Sequence, residues 1–416
     1  MTKTFIGRLS PLVIAAAAAC GTSPVIAQEA LKVGVLATLE GAFTVLGQDG
    51  VRGVELALKE HNGMAGGKKI EIIKGSSNGS PDSAVSAARK LVEQDKVQIL
   101  IGPLSGSEGI AVKDYAKTQP QVTFLNGTSA AQETTLVSPA PNFFRFSTDG
   151  AQWSAGLGKH AYAKGYKRVV VVAEDYAFPY SQVAGFMMEF CKAGGKVLDK
   201  FWVPIGTKDY SSVIAKLPND IDAVYTALGG SDAVNFLTQY EQNGGNKPLI
   251  GGTITMDQTV LSYQGKRREL LLGTPASGPI ADANENPEWW KFLAAYKGAF
   301  KDGFPSPSLF AHGYYVNTKA ALEGLDTVKG DLSNNQAALR KTLSTMTLKT
   351  PTGDVKLDAN RNAVANIYLT EVAKTPSGSL YNKVVKVIPN VNQTLGLSKA
   401  EFDKIGMGSR TNPECK

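Results

Sequence analysis

Val97-Gln-Ile-Leu-Ile-Gly-Pro-Leu-Ser-Gly-Ser-Glu-Gly109, with its echo Val122-Thr-Phe-Leu-Asn-Gly-Thr-Ser129, decides how the rest of the chain is read. Each is a short apolar run that breaks into glycine and small hydroxyls. Such a run, bounded by turn formers, reads as a strand buried on both faces of a parallel sheet. The polar residues then lie past the strand's carboxyl end, where open α/β sheets bind ligands. Gly102 and Gly106 let the backbone approach a guest, and Ser105, Ser107, Thr128 and Ser129 offer short hydroxyl donors. Side by side, the two ends would present N–H and O–H groups to one anionic group. The alternative is that the same Ser and Thr only cap the helices that follow.

Outward from this pair the chain alternates strand and helix. Residues 31–36 read as a strand, and Val51, Val54 and Leu58 recur at helical spacing. A second strand covers 69–73. Ser80-Pro81 is an N-cap followed by proline at the first helical position, and Ala84, Ala88, Leu91 and Val92 give the ensuing helix one apolar face. Pro139-Ala-Pro-Asn-Phe-Phe-Arg-Phe-Ser147 interrupts the rhythm, which then restarts. Helices are expected at 153–164, 181–193 and 232–242, and strands at 168–173, 196–203, 222–225 and 249–251. Later helices fall at 286–301, 309–328 and 335–343. The end is β-rich, at 353–357, 363–372 and 380–387, with a hairpin-like reversal at Asp358-Ala-Asn-Arg-Asn362. Strands joined through helices need right-handed crossovers and a mostly parallel sheet. The fold class is therefore α/β, with one doubly wound architecture used twice.

Residues 1–27 read as a secretory signal peptide: Lys3 and Arg8, an apolar stretch over 12–19, and a small-residue cleavage site ending at Ala27. The apolar stretch is too short to span a bilayer. Its removal takes Lys3 and Arg8 from a net charge of +7. The mild positive charge that remains does not imply nucleic acid. Of three cysteines, Cys20 leaves with the leader; Cys191 and Cys415 either form a bridge or stay as two free thiols.

These pieces together resemble the periplasmic solute-binding proteins of branched-chain-amino-acid-type ABC importers, the Leu/Ile/Val-binding protein family. Leu31-Lys-Val-Gly-Val-Leu36 with Glu40-Gly41 and Arg52-Gly-Val-Glu-Leu-Ala57 matches the family's opening strand, loop and helix. Asn62-Gly63 through Lys69-Ile70 matches its next turn, and Ile101-Gly102-Pro103 its approach to the ligand. Asn142-Phe-Phe-Arg145 and Asp175-Tyr-Ala-Phe178 match its lobe-crossing and second-lobe signatures. The resemblance implies a type I periplasmic binding fold: two doubly wound parallel-sheet lobes on a three-crossing hinge, with crossings near Ser147, Ser277 and Thr350. Lobe 1 would comprise 28–147 plus 278–350, and lobe 2 148–277 plus 351–416. A solute is held between lobes that close over it, and the closed form is recognised by a permease and its ATPase.

Carried over residue by residue, the resemblance places ligand contacts at Leu46, Ser105, Gly106, Ser107, Gly127, Thr128, Ser129, Tyr176, Phe178, Gly229, Gly230 and Thr253, with Phe43 as a further apolar wall. Gly106 stands where many relatives have Ser. Amino-acid-binding relatives place a carboxylate just after the strand at 249–251 to meet the ligand's ammonium. Here Thr253 and Ile254 fill those positions and Asp257 comes late. An unpaired buried ammonium is costly, which favours a carboxylate guest without an amine, such as an aromatic acid. Arg145 reads as a structural pair or lobe-crossing bond rather than a ligand contact.

No catalytic constellation accompanies this cleft. His61, His160 and His312 are scattered, and Gly102-Pro-Leu-Ser-Gly106 has the wrong spacing for a nucleophile elbow. No Cys/His cluster has zinc spacing and no Gly-rich loop ends in Lys-Ser or Lys-Thr, so neither metal nor cofactor is expected. Lys266-Arg-Arg268 reads as a solvated run. In Trp289-Trp290 one ring should pack inward and the other lie at the surface. The leading expectation is a monomeric periplasmic receptor for a small organic acid or apolar amino acid. An exported sensor of the same fold, and a two-lobed exported hydrolase, are the alternatives.

Overall fold

The computed structural model describes residues 1–5, 7, 30–263 and 268–415, without the side chain of Arg268. Most of the expected leader, with its cleavage site at Ala27, and the run Lys266-Arg-Arg268 apart from the Arg268 backbone lie outside the described residues. Among those described, two sheets organise the chain. The first contains β1 (Leu31–Thr38), β2 (Met64–Ala65), β3 (Lys68–Ser77), β4 (Ile99–Ile101), β5 (Thr123–Leu125) and β6 (Phe143–Phe144), in the order β2-β3-β1-β4-β5-β6. The second contains β7 (Arg168–Glu174), β8 (Lys196–Val203), β9 (Ala223–Ala227), β10 (Leu249–Gly251), β11 (Pro275–Gly278), β12 (Leu348–Thr350), β13 (Gly353–Leu357), β14 (Ala363–Lys374) and β15 (Leu380–Val391). Its order is β12-β13-β14-β11-β10-β9-β7-β8, with β15 on β14.

Within each sheet five consecutive parallel strands adopt one order. β3-β1-β4-β5-β6 and β8-β7-β9-β10-β11 both follow the doubly wound pattern in which the second strand lies outside the first. The expected repetition of one architecture is thus present at the level of topology. Sequence explains why these segments are strands. β4 is buried at all three positions and β7 at all but its first, as a parallel strand covered by helices on both faces requires. The organising pair lies in register, Ile99 opposite Thr123 and Ile101 opposite Leu125, so the two polar loops emerge side by side.

The β-rich end joins the second sheet. β14 pairs antiparallel with β11, β13 and β15. The reversal at 358–362 is a true hairpin turn, with Asp358 N donating to Asn362 O at 2.8 Å and Arg361 N to Asp358 O at 2.9 Å. The single helix expected at 153–164 is instead two, Gly150–Trp153 and Leu157–Ala163. Gly156 separates them at φ +82°, a left-handed conformation that glycine adopts without steric cost. Trp289 is fully buried and Trp290 half exposed, as expected. Phe146, Ser147, Thr148, Pro279 and Thr352, from three separate segments that pass between the sheets, line one small cavity.

Cys191 and Cys415 form a disulfide with a Cα–Cα distance of 5.2 Å, closing the tail onto the end of helix Ala177–Lys192. No helix among the described residues is long and apolar enough to cross a membrane.

Candidate functional site

The loops after β4 and β5 form one wall of an inter-sheet cleft. Gly102 turns the chain at φ +135°, where a Cβ would strike the carbonyl of Leu36. Ser105 then opens helix Gly106–Ala116 through a capping box: its hydroxyl accepts from Glu108 N, and the Glu108 carboxylate accepts from Ser105 N at 2.9 Å. The Ser105 hydroxyl also donates to Gly79 O at 3.0 Å. Ser105 is therefore used as a cap, one of the two readings its position allowed. Thr128 N and Ser129 N both donate to Pro103 O, at 3.2 and 3.3 Å, which lashes the two loops together. Ser129 Oγ lies against Gly109 and has no partner among the described residues. What the wall offers a guest is the head of helix Gly106–Ala116, whose Gly106 and Ser107 amides have no intrahelical acceptor.

Rings and glycines make the opposite wall. Tyr176 and Phe178 open helix Ala177–Lys192, and Gly229 and Gly230 open helix Gly230–Gln242. Tyr176 sits 5.9 Å from Phe43 and 6.0 Å from Phe178, centroid to centroid, and Phe178 sits 5.2 Å from Trp153. Phe43, Leu46, Leu104, Tyr176, Phe178 and Ile254 belong to one continuous apolar cluster that spans the two walls.

The walls touch at glycines. A Cβ on Gly106 would lie 2.6 Å from Phe178 N, and one on Gly230 would run into Ala42 O. Ser107 Oγ accepts a hydrogen bond from Ala177 N across the cleft at 3.1 Å. Leu46, Gly106, Ser107, Tyr176, Phe178, Gly229 and Gly230 are thus brought together. Gly127 sits behind them, packed on Tyr314. Thr253 faces elsewhere: its hydroxyl donates to Ser277 O at 2.5 Å and accepts from Gln182 at 2.6 Å, while its neighbour Ile254 reaches Gly229.

Buried acids frame the site. Glu108 accepts from Thr38 Oγ1, Gly79 N and Ser105 N; burial pushes its carboxyl up, and these bonds oppose the shift. Glu174, at the end of β7, accepts from Gly229 N at 3.0 Å through one oxygen, while the other is buried without a partner among the described residues. Burial, and then the nearby Asp232 carboxylate, push Glu174 well above the usual carboxylate range. Sequence reasoning missed Glu174, although an acid ending the run Val169-Val-Val-Val-Ala173 was there to be noticed. Asp257 caps helix Gln258–Leu261 and also accepts from Leu309 N at 2.8 Å; burial pushes it up to about 7. Arg145 is wholly buried among Asn362, Ala131 O and Thr135, at 2.5 to 2.7 Å, and is a structural tie.

His61, His160 and His312 are engaged with Asp326, Glu371 and Thr352 respectively. Among the described residues no group of three or more His, Cys, Asp or Glu is placed to hold a metal ion.

Comparison with known proteins agrees with the fold. A family model described as periplasmic binding protein matches residues 30–377. A Leu/Ile/Val-binding protein homolog 6 of Brucella melitensis is 26% identical over 365 residues, covering 86% of this chain and 91% of that one. An ABC transporter substrate-binding protein from Sphaerobacter thermophilus superposes with a TM-score of 0.78 at 29% identity, covering 88% of this chain and 99% of the other. A solute-binding protein of an ABC transporter from R. palustris, solved in complex with benzoate, superposes with a TM-score of 0.80 at 25% identity, covering 89% of this chain and all of the other.

Proposed function

The chain belongs to the periplasmic binding protein family, whose members bind solutes for ABC transporters rather than catalyse reactions, and from that premise we propose that it captures a small aromatic carboxylate between its two lobes and delivers it to an ABC permease. The observation that carries this reading is the convergence of three helix heads, Gly106–Ala116, Ala177–Lys192 and Gly230–Gln242, on a cleft walled by Phe43, Leu46, Tyr176, Phe178 and Ile254. Helix amino termini attract negative charge, and the rings enclose an apolar body. The similar R. palustris protein holds benzoate, which has both features.

The lobes divide near residues 147, 277 and 350, with β12 just before the last boundary pairing β13 beyond it, and they hinge where Phe146–Thr148, Pro279 and Thr352 meet. A guest that touches both walls favours the closed form, because the open form cannot make both sets of contacts. The chain is exported, with its leader removed near Ala27, and works in the periplasm.

One observation favours a second guest class. The free oxygen of Glu174 would accept from an ammonium, which suits an apolar amino acid. A thermal-shift panel separates the two, since a ligand at 100 times its Kd stabilises by about 2.7 kcal/mol. Benzoate and hydroxybenzoates should raise the melting temperature while leucine and valine leave it unchanged. The reverse pattern, abolished in Glu174→Gln, would replace the aromatic acid with an amino acid. Slow consumption of any ligand would instead revive an enzyme.

A further inference from the structure

We propose that Arg410, in the carboxyl-terminal tail, is a positioning residue for the cleft: by gripping Asp175 it fixes the loop that carries Tyr176 and the Ala177 amide to the ligand. The inference rests on the cleft being the binding site, as proposed above, and adds a residue far from it in sequence.

The grip has the form of a fork on a carboxylate. Arg410 Nε donates to Asp175 Oδ1 at 2.7 Å, and its NH2 group meets Oδ2. The Tyr180 hydroxyl donates to the same Oδ1. Asp175 N in turn donates to Val203 O at 2.8 Å, so the residue is held by side chain and backbone at once. Immediately after it come Tyr176, whose ring meets Phe43, and Ala177, whose amide reaches Ser107 across the cleft. Any swing at Asp175 therefore moves both contacts.

The tail is itself anchored independently of the cleft. Trp202 Nε1 donates to Arg410 O at 3.1 Å, and Lys200 Nζ donates to Thr411 O at 2.8 Å and Pro413 O at 3.2 Å. Cys415 is bonded to Cys191 at the far end of the helix that Tyr176 opens. The strap thus brackets helix Ala177–Lys192, with Arg410 near its head and the disulfide near its end. The Arg410 side chain is 62% exposed and that of Asp175 only 15%. With its arginine largely in water, such a pair adds little to global stability. Arginine supplies a rigid bidentate fork that lysine lacks, which suits a part that orients its partner.

The test uses the full-length, oxidised protein. Arg410→Met should speed amide exchange at 176–178 about 10-fold in the ligand-free protein, local opening being what exchange reports. Its affinity for benzoate, by calorimetry, should fall by about 5–10-fold, and its unfolding midpoint should move by less than about 2 °C. Arg410→Lys should recover part of both losses, and Lys200→Met, which frees the tail elsewhere, should reproduce neither. Unchanged exchange in Arg410→Met, or equal losses in Lys200→Met, would overturn the proposal. Should benzoate fail to bind the unaltered protein, the aromatic-acid reading falls, and the exchange rates by themselves decide the role of Arg410.

Discussion

Glu108 and Glu174 stand on opposite walls of the cleft, each buried and each bonded to the backbone at the head of a helix, yet they differ in one respect. Both oxygens of Glu108 are engaged, by Thr38, Gly79 and Ser105. Glu174 bonds Gly229 with one oxygen and leaves the other without a partner among the described residues. Two lobes with the same strand order have thus produced walls of different character. On the first, the buried acid is fully bonded and backbone amides hold two loops in place, while the Ser129 hydroxyl has no partner among the described residues. On the second, aromatic rings pack together beside an incompletely bonded acid. A buried polar group with no partner is costly, so it persists where something else meets it, such as a proton, a water or a guest.

Phe178→Ala should disturb this contrast most. Phe178 is buried between Trp153 and Tyr176, and its loss should cost about 3–5 kcal/mol of stability by urea denaturation, as large aromatic truncations do. A cost under about 1 kcal/mol would mean that the second wall is not packed as described.

Asp257 supplies a third acid and a pH signature. Its folded pKa of about 7 lies above that of the unfolded chain, so its contribution to stability is fully present below the unfolded value and is lost as pH rises towards 7. The unfolding free energy should therefore decline between about pH 4 and pH 7, by up to about 2–4 kcal/mol from this group. Asp257→Asn should flatten that part of the profile; identical slopes would exclude the assignment.

The two glutamates should then part company. Glu108→Gln places an amide against the donors of Gly79 and Ser105 and should cost about 2–3 kcal/mol. Glu174→Gln removes a buried acid beside Asp232 and should change stability by less than about 1 kcal/mol, while altering which guests bind. Equal costs would erase the distinction between the walls.

Much of this fold could be read from residues. Val97–Ile101 and Val122–Leu125 are apolar runs too short for most helices and end in Gly and Ser, so two parallel strands with polar loops at their carboxyl ends followed directly. The loops' chemistry was less legible. Ser105 and Ser107 look alike in sequence, but one caps its own helix and the other accepts from Ala177 across the cleft. Thr253 is drawn to Ser277 by a strand that arrives later in the chain. Asp175 and Arg410 are 235 residues apart and no local pattern links them. Periodicity reports which face is buried, whereas the partner of each hydroxyl or charge is set by tertiary approach.

A co-crystal with benzoate tests the central claim most directly. Density for the ring between Phe43, Leu46, Tyr176 and Phe178, with its carboxylate at the Gly106 and Ser107 amides, is the predicted result. An empty cleft with benzoate bound elsewhere on the molecule would contradict it.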